Sequence, residues 1–234
     1  MKKPVILLTA RGHVHFYSRV LADNDSCFDY VRAGGGMPLL GMAASREEAE
    51  MLAETADGLL ITGGDDVDPA RYGEPNTHSE LVDEDLEESD FMLYEAFRKA
   101  GKPILGICRG FQVIAAAEGM KLIQDIPSVG LYHEHNQRRF DSPLSSSETA
   151  HTCTFVPGTR LHSIFGDTYP VNTFHHQGFT GVPDGFVLSA VSDDGISEGI
   201  EKDCVTAVQW HPERLVSDPK HRRIVEEFVK QCSL

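Results

Sequence analysis

Residues 104–119 read ILGICRGFQVIAAAEG: an apolar run meets one cysteine, and a helical pattern begins at once. Cys108 would stand at the carboxyl end of a strand and at the first turn of a helix. Open α/β sheets bind ligands at such strand ends. A helix N-terminus carries about +0.5 charge and free backbone N–H groups, both of which favour thiolate. Such settings lower a cysteine pKa from near 8.5 to roughly 3.5–7.5. Gly106 and Gly110 flank the thiol at i−2 and i+2 and leave room for a sharp strand-to-helix turn of the G-x-S-x-G kind. A buried structural cysteine fits this stretch equally well, so other residues must decide.

Two further stretches bear on it. LLITGGDDVDP (59–69) ends a strand on Gly63-Gly64, where backbone amides could face a ligand unobstructed. Donors fixed on developing negative charge are each worth roughly 2.7–4 kcal/mol of barrier. A plain glycine turn is the competing reading. Asp65, Asp66 and Asp68 lack calcium-loop spacing and do not suggest a metal site. AVQWHPE (207–213) delivers His211, Pro212 and Glu213 from a strand. The residue before proline is pushed into extended geometry, and residues i and i+2 of an extended chain face one side. Glu213 could then hold one imidazole nitrogen of His211 and leave the other for a nucleophile, the orienter–base–nucleophile logic of triads. Alone, a surface His and Glu at a strand end would be the simpler account.

The elements that must position these residues alternate along the chain. PVILLTA (4–10), MPLLGM (37–42), DGLLIT (57–62) and PILGI (103–107) read as strands. Helices are expected within the amphipathic stretch 16–34, over 45–56 behind a Ser45/Glu48 capping box, over 84–100 with acids first and Arg98 and Lys99 last, and over 109–118. Continuous apolar strands in β-α-β-α order predict a three-layer, flavodoxin-like α/β fold, with a mostly parallel sheet covered by helices on both faces. The C-terminal half is richer in strands: HTCTFVPG, TYPVNTFHHQ, GFVLSAVS, ISEGIE and CVTAVQW, before a last helix near 218–231. Residues 127–150 read as a polar, Ser-rich surface loop. With no repeat or linker, residues 1–234 are expected to form one domain.

The 234 residues carry a formal charge of −15, which argues against a nucleic-acid partner. No apolar stretch approaches the roughly 18 residues of a membrane span. The MKKPVILLTARG start lacks a small-residue cleavage pattern and reads as a buried strand of a cytoplasmic protein. Five dispersed cysteines without a CxxC pair predict free thiols rather than a disulfide framework or a zinc site.

Taken in order, strand-Gly-Gly, G-x-C-x-G-x-Q and H-P-E resemble class I glutamine amidotransferase domains. Within that superfamily GGDDVDPARYGEP (63–75), GICRGFQ (106–112), LIQDIP (122–127), VNTFHHQGF (171–179) and AVQWHPE resemble the gamma-glutamyl hydrolase family, of the gamma-glutamyl-gamma-aminobutyrate hydrolase type. The resemblance spans about residues 4–230. It implies Cys108 as nucleophile, His211 as general base and acid, and Glu213 as orienter. It implies an oxyanion hole of the Gly64 and Arg109 backbone amides, with Gly63 beside the substrate. Gln112, one helical turn after Cys108, and His175 and His176 of the HHQ segment would then line the glutamyl group. No metal or organic cofactor is implied. Zinc at the histidine pair is disfavoured because no Cys or carboxylate lies at ligand spacing.

The chain departs from relatives at Ala115 and Gly119-Met120, where an asparagine and paired glycines are common. It departs again at Leu86-Glu87, where an Arg-Asp pair is common. Neither place belongs to the triad. The expected reaction is hydrolysis of a gamma-glutamyl amide in a small molecule, through a cysteine thioester, releasing glutamate and an amine. An ammonia-supplying glutaminase that serves a synthetase partner uses the same triad and is the first alternative. A non-catalytic binding scaffold is the second, and nothing in it would require Cys108, His211 and Glu213 together. A homodimer is compatible with this reading.

Overall fold

Strands β1 (Val5–Thr9), β5 (Gly58–Ile61) and β6 (Ile104–Ile107) are almost wholly buried, as continuous apolar runs demand when both faces of a sheet are covered. The computed structural model describes residues 3–15, 18–80, 83–130, 135–136 and 145–233. In it a nine-stranded sheet has the order β4-β1-β5-β6-β11-β10-β9-β7-β8. The remaining strands of that sheet are β4 (Met37–Gly41), β7 (His151–Phe155), β8 (Thr168–Val171), β9 (Val187–Ser192), β10 (Ser197–Lys202) and β11 (Val205–Val208). From β4 to β11 every pairing is parallel, and from β11 to β8 every pairing is antiparallel. This is the mixed α/β fold expected, with its strand-rich C-terminal half forming the antiparallel wing.

The period of two along each strand sorts the core into two layers. Leu7, Leu59, Ile61 and Ile104 face helices α2 (Arg46–Thr55), α3 (Glu84–Lys99) and α4 (Arg109–Ala117). Ile6, Leu8, Leu60, Leu105 and Ile107 face α1 (Asp25–Ala33), α5 (Arg160–Phe165) and α6 (Pro219–Gln231). Anchors such as Phe97 and Phe228 are buried here, each stabilising the fold by roughly 1.5–3 kcal/mol. The sole tryptophan, Trp210, is fully buried against Phe155 and Phe165. At α2, Ser45 Oγ accepts the Glu48 N–H at 3.2 Å, as the capping spacing predicts.

Helix occupies only the later part of the amphipathic stretch 16–34. β2 (Arg11–His15) and β3 (Ser18–Ala22) pair as an antiparallel hairpin, and α1 occupies only Asp25–Ala33. Alternation in HVHFYSRVL satisfies a period of two as well as an amphipathic helix, and tertiary pairing decides. Most of the polar 127–150 stretch lies outside the described residues. All five cysteines are free. No helix among the described residues is long and apolar enough to cross a membrane.

Candidate active site

β6 ends at Ile107 and α4 begins at Arg109, so Cys108 alone makes the corner. Its φ of 52° and ψ of −103° lie where L-residues rarely go. Such a conformation costs about 1–3 kcal/mol and persists only when the surroundings over-determine it. Here the Cys108 N–H donates to the Val208 carbonyl at 2.9 Å, and the Cys108 carbonyl accepts from the Gln112 N–H at 3.2 Å. The flanking glycines make the turn sterically feasible: a Cβ on Gly110 would fall 2.1 Å from the Ile61 carbonyl oxygen, and one on Gly106 2.9 Å from the Gly110 carbonyl oxygen. The side chain of Cys108 lines a cavity of about 320 Å³ shared with Gly63, Gly64, His211 and Glu213.

His211 arrives beyond the end of β11, the strand next to β6. One amide grips its backbone from both sides: Asn172 Oδ1 accepts the His211 N–H at 2.8 Å, and Asn172 Nδ2 donates to the His211 carbonyl at 3.0 Å. Glu213 Oε1 lies 2.6 Å from His211 Nδ1. The pair meets by a different route from the extended chain anticipated, because Pro212–Arg214 form a 3-10 turn that swings the carboxylate back. The imidazole and Cys108 line the same cavity. Burial alone would lower the His211 pKa, but the Glu213 carboxylate and the Cys108 sulfur outweigh it and raise it to about 10. A Cβ on Gly63 would come 2.8 Å from His211 Cε1 and 3.7 Å from Cys108 Cβ, so only glycine lets the chain run against both.

Arg11, 9% exposed, lies across the Gly-Gly turn. Its Nε donates to the Gly63 carbonyl at 2.5 Å, and its Nη2 donates to the Thr62 carbonyl and, at 3.1 Å, to Thr62 Oγ1. In a trans peptide C=O and N–H point oppositely, so holding the Gly63 carbonyl fixes the direction of the Gly64 N–H. Behind the turn, Asp90 of α3 joins Arg11 Nη1 at 3.4 Å to the Arg109 guanidinium, which also lies 3.7 Å from Glu87. The Arg109 side chain is thereby tied to α3, and its backbone remains at the first turn of α4. Glu87, at one of the departures from relatives, also binds Arg71 and accepts the Asp68 N–H.

Three expected substrate contacts are not among the residues lining this cavity. Gln112 is 3% exposed and spends its amide on the Gln177 carbonyl and Gln209 Oε1. His175 is buried, with Nδ1 on the Gln177 carbonyl at 2.8 Å. His176 bridges Asp66 at 2.9 Å and Asp125 at 3.2 Å, clamping the GGDDVDP and LIQDIP loops together. Gln112 Nε2, His175 Nδ1 and both ring nitrogens of His176 are held by hydrogen bonds within the protein. Sequence reasoning missed Arg11, Asp90 and Asn172, and also Asp23, Phe174 and Arg214, which line the cavity. The Asp23 carboxyl is pushed up by burial, and the Arg214 guanidinium lies 4.7 Å from the Phe174 ring centroid.

A cysteine on a strand-to-helix elbow, beside a His–Glu pair from the adjacent parallel strand, defines a protein of the class I glutamine amidotransferase-like fold. The Peptidase C26 family profile matches residues 4–213, and the chain belongs to that family. It is 34% identical over 197 residues to a Mycobacterium tuberculosis protein provisionally named a glutamine amidotransferase, covering 82% of this chain and 62% of that protein. It is 33% identical over 190 residues to protein NtpR of Enterococcus hirae, covering 78% and 77%. The structure of a Thermotoga maritima glutamine amidotransferase shares the fold with a TM-score of 0.61 at 13% identity, over 100% of this chain and 97% of that one. Family and fold are consistent with cysteine-dependent amide hydrolysis.

Proposed function

We propose that the protein hydrolyses gamma-glutamyl amides of small molecules through a thioester on Cys108. The observation that carries this reading is that the Cys108 elbow and the His211–Glu213 pair meet in one cavity with Gly63 and Gly64. The Glu213 carboxylate favours the protonated form of His211, which suits the ring to take up a proton and pass it to the leaving amine. His211 takes the Cys108 proton as the sulfur attacks the side-chain carbonyl carbon of the glutamyl group. The resulting oxyanion is met by the Gly64 and Arg109 N–H groups. His211 protonates the leaving nitrogen as the C–N bond breaks and the thioester forms. It then takes a proton from water, whose oxygen attacks the thioester, and glutamate leaves as the thiol is restored. Glu213 orients the ring, and Arg11 holds the Gly63–Gly64 peptide in the donating orientation.

At about 320 Å³ the cavity is sized for a small molecule. Asp23 offers a carboxylate for the substrate ammonium, and Arg214 a guanidinium for its α-carboxylate. Product release measured by mass spectrometry tests this on glutamine, gamma-glutamyl-gamma-aminobutyrate, a gamma-glutamyl amino acid and the matching alpha-glutamyl peptide. Cys108-dependent cleavage of the gamma-linked compounds, with little on glutamine, is the expected result. Cleavage of glutamine alone would favour a second reading, an ammonia-supplying glutaminase, which the name of the mycobacterial relative supports. Cleavage of nothing would overturn both.

A further inference from the structure

Behind the HHQ segment, three histidines converge on one carboxylate. Glu198, in β10, is fully buried. Its Oε1 lies 3.5 Å from His135 Nδ1, 3.6 Å from His151 Nε2 and 3.6 Å from His175 Nε2. None of these contacts is a hydrogen bond. Both Glu198 oxygens, His135 Nδ1 and His175 Nε2 are buried without a hydrogen-bond partner among the described residues. Burying such groups unpaired is expensive, so the arrangement needs an occupant.

The outer partners say what kind. His135 Nε2 lies 2.9 Å from Asp194 Oδ2, and His175 Nδ1 lies 2.8 Å from the Gln177 carbonyl. A carboxylate and a carbonyl only accept, so the ring proton of each neutral histidine sits on the outer nitrogen. The inner nitrogens then present bare lone pairs to a carboxylate oxygen. Lone pairs facing one another in a sealed interior repel unless a cation lies between them. A metal-bound histidine commonly shows this outer arrangement, with its far N–H held by a carboxylate or backbone carbonyl. The spacing also fits: ligands at the usual zinc distances in a tetrahedron stand about 3.3–3.4 Å apart. His135, His175 and Glu198 each offer an atom within 4.8 Å of the others, and so do His151, Cys153 and Glu198.

We propose that His135, His175 and Glu198 bind a divalent transition ion of the zinc type, with His151 as the neighbour able to complete a closed, structural site. Imidazole and carboxylate donors suit zinc, and full burial leaves no open position for substrate. This goes beyond the proposed reaction and does not depend on it. It reverses the expectation of no metal. The spacing around residues 175–176 lacked a nearby carboxylate or thiol, but the fold supplies Glu198 and His135 from 22 or more positions away. The ion would pin residue 135 and the segment after β8 to the sheet. That segment carries Asn172, which holds His211.

The test uses the full-length chain after chelator treatment, titrated with Co²⁺ and then Zn²⁺ alone. One equivalent of Co²⁺ should produce the intense visible bands of four-coordinate cobalt. Zn²⁺ should displace it and raise the thermal midpoint. Glu198→Gln and, as a variant outside the sheet, His135→Gln should lose the bands, with circular dichroism checking the fold. Asp194→Asn should weaken affinity by about 10–100-fold. Cys108→Ala should bind metal as wild type does, which separates this site from the Cys108–His211 pair. Failure of the wild type to bind an equivalent of either ion would overturn the proposal. So would undiminished binding in folded Glu198→Gln or His135→Gln, or its loss in Cys108→Ala.

Discussion

Two constellations of the same residue types stand a strand apart. His211 and Glu213 are neighbours in sequence, 2.6 Å apart, and open on a cavity beside a thiol. His135, His151, His175 and Glu198 come from separate segments, each histidine stands 3.5–3.6 Å from Glu198, and all but the half-buried His151 are closed off from solvent. The Gln209 N–H donates to the Glu198 carbonyl at 2.8 Å, so the two share a backbone bridge. Imidazole and carboxylate by themselves specify neither catalysis nor metal binding. The first pair has a partner that can gain and lose a proton and a route for substrate. In the second set, His135 and His175 have outer acceptors that fix their ring protons and leave lone pairs inside.

The largest effect that would break this contrast is at the thiol. Cys108→Ala should reduce turnover of a gamma-glutamyl amide by roughly 10⁴-fold or more, and residual wild-type activity in a product-release assay would remove the nucleophile. Glu213→Gln should cost about 10²–10⁴-fold in kcat, since orientation and charge on His211 are lost while the thiol stays. An equal loss from Glu198→Gln in metal-replete protein would mean that the two constellations act as one. Arg11→Met should cost less than the roughly 10²–10³-fold of a missing oxyanion donor, with the loss in kcat rather than KM, and Arg11→Lys should recover part of it. The smallest effect concerns His176, which hydrogen bonds to Asp66 and Asp125 raise to about 9 against burial. A folded-state pKa above the unfolded value near 6.5 stabilises fully below 6.5, and the gain is lost as pH rises through 9. The thermal midpoint of wild type over His176→Gln should therefore shrink across that window. A constant difference would show that the clamp does not depend on charge.

What could be read from sequence was local. The Cys108 elbow, the Gly-Gly turn and the His211–Glu213 proximity each depend on residues within a few positions, and the glycine pattern permitted the turn at 106–110. The alternation of apolar strands and helices likewise foretold the two-layered core. Arg11 was illegible because its partners, Thr62, Gly63 and Asp90, lie 51–79 residues away. Asn172 reaches His211 across 39 residues. For Gln112, helical spacing places it one turn after Cys108 but says nothing of Gln177 and Gln209, which its Nε2 bonds in the fold. Glu198 looked like one polar residue of an ordinary strand. It falls where the pairing of β10 with β9 shifts register between Ser197 and Gly199, an irregularity the strand's own sequence does not announce.

Trp210 gives the molecule an optical property. It is the only indole in the chain, it is fully buried, and it directly precedes His211 while following the Gln209 bridge to Glu198. Its emission should be blue and sensitive to small shifts at the end of β11. Thioester formation on one side and ion loading on the other should each change it without any attached dye. His221, 6.4 Å from it between ring centroids and held down to about 4 by burial, should quench that emission only as the pH falls toward 4 and protonates it.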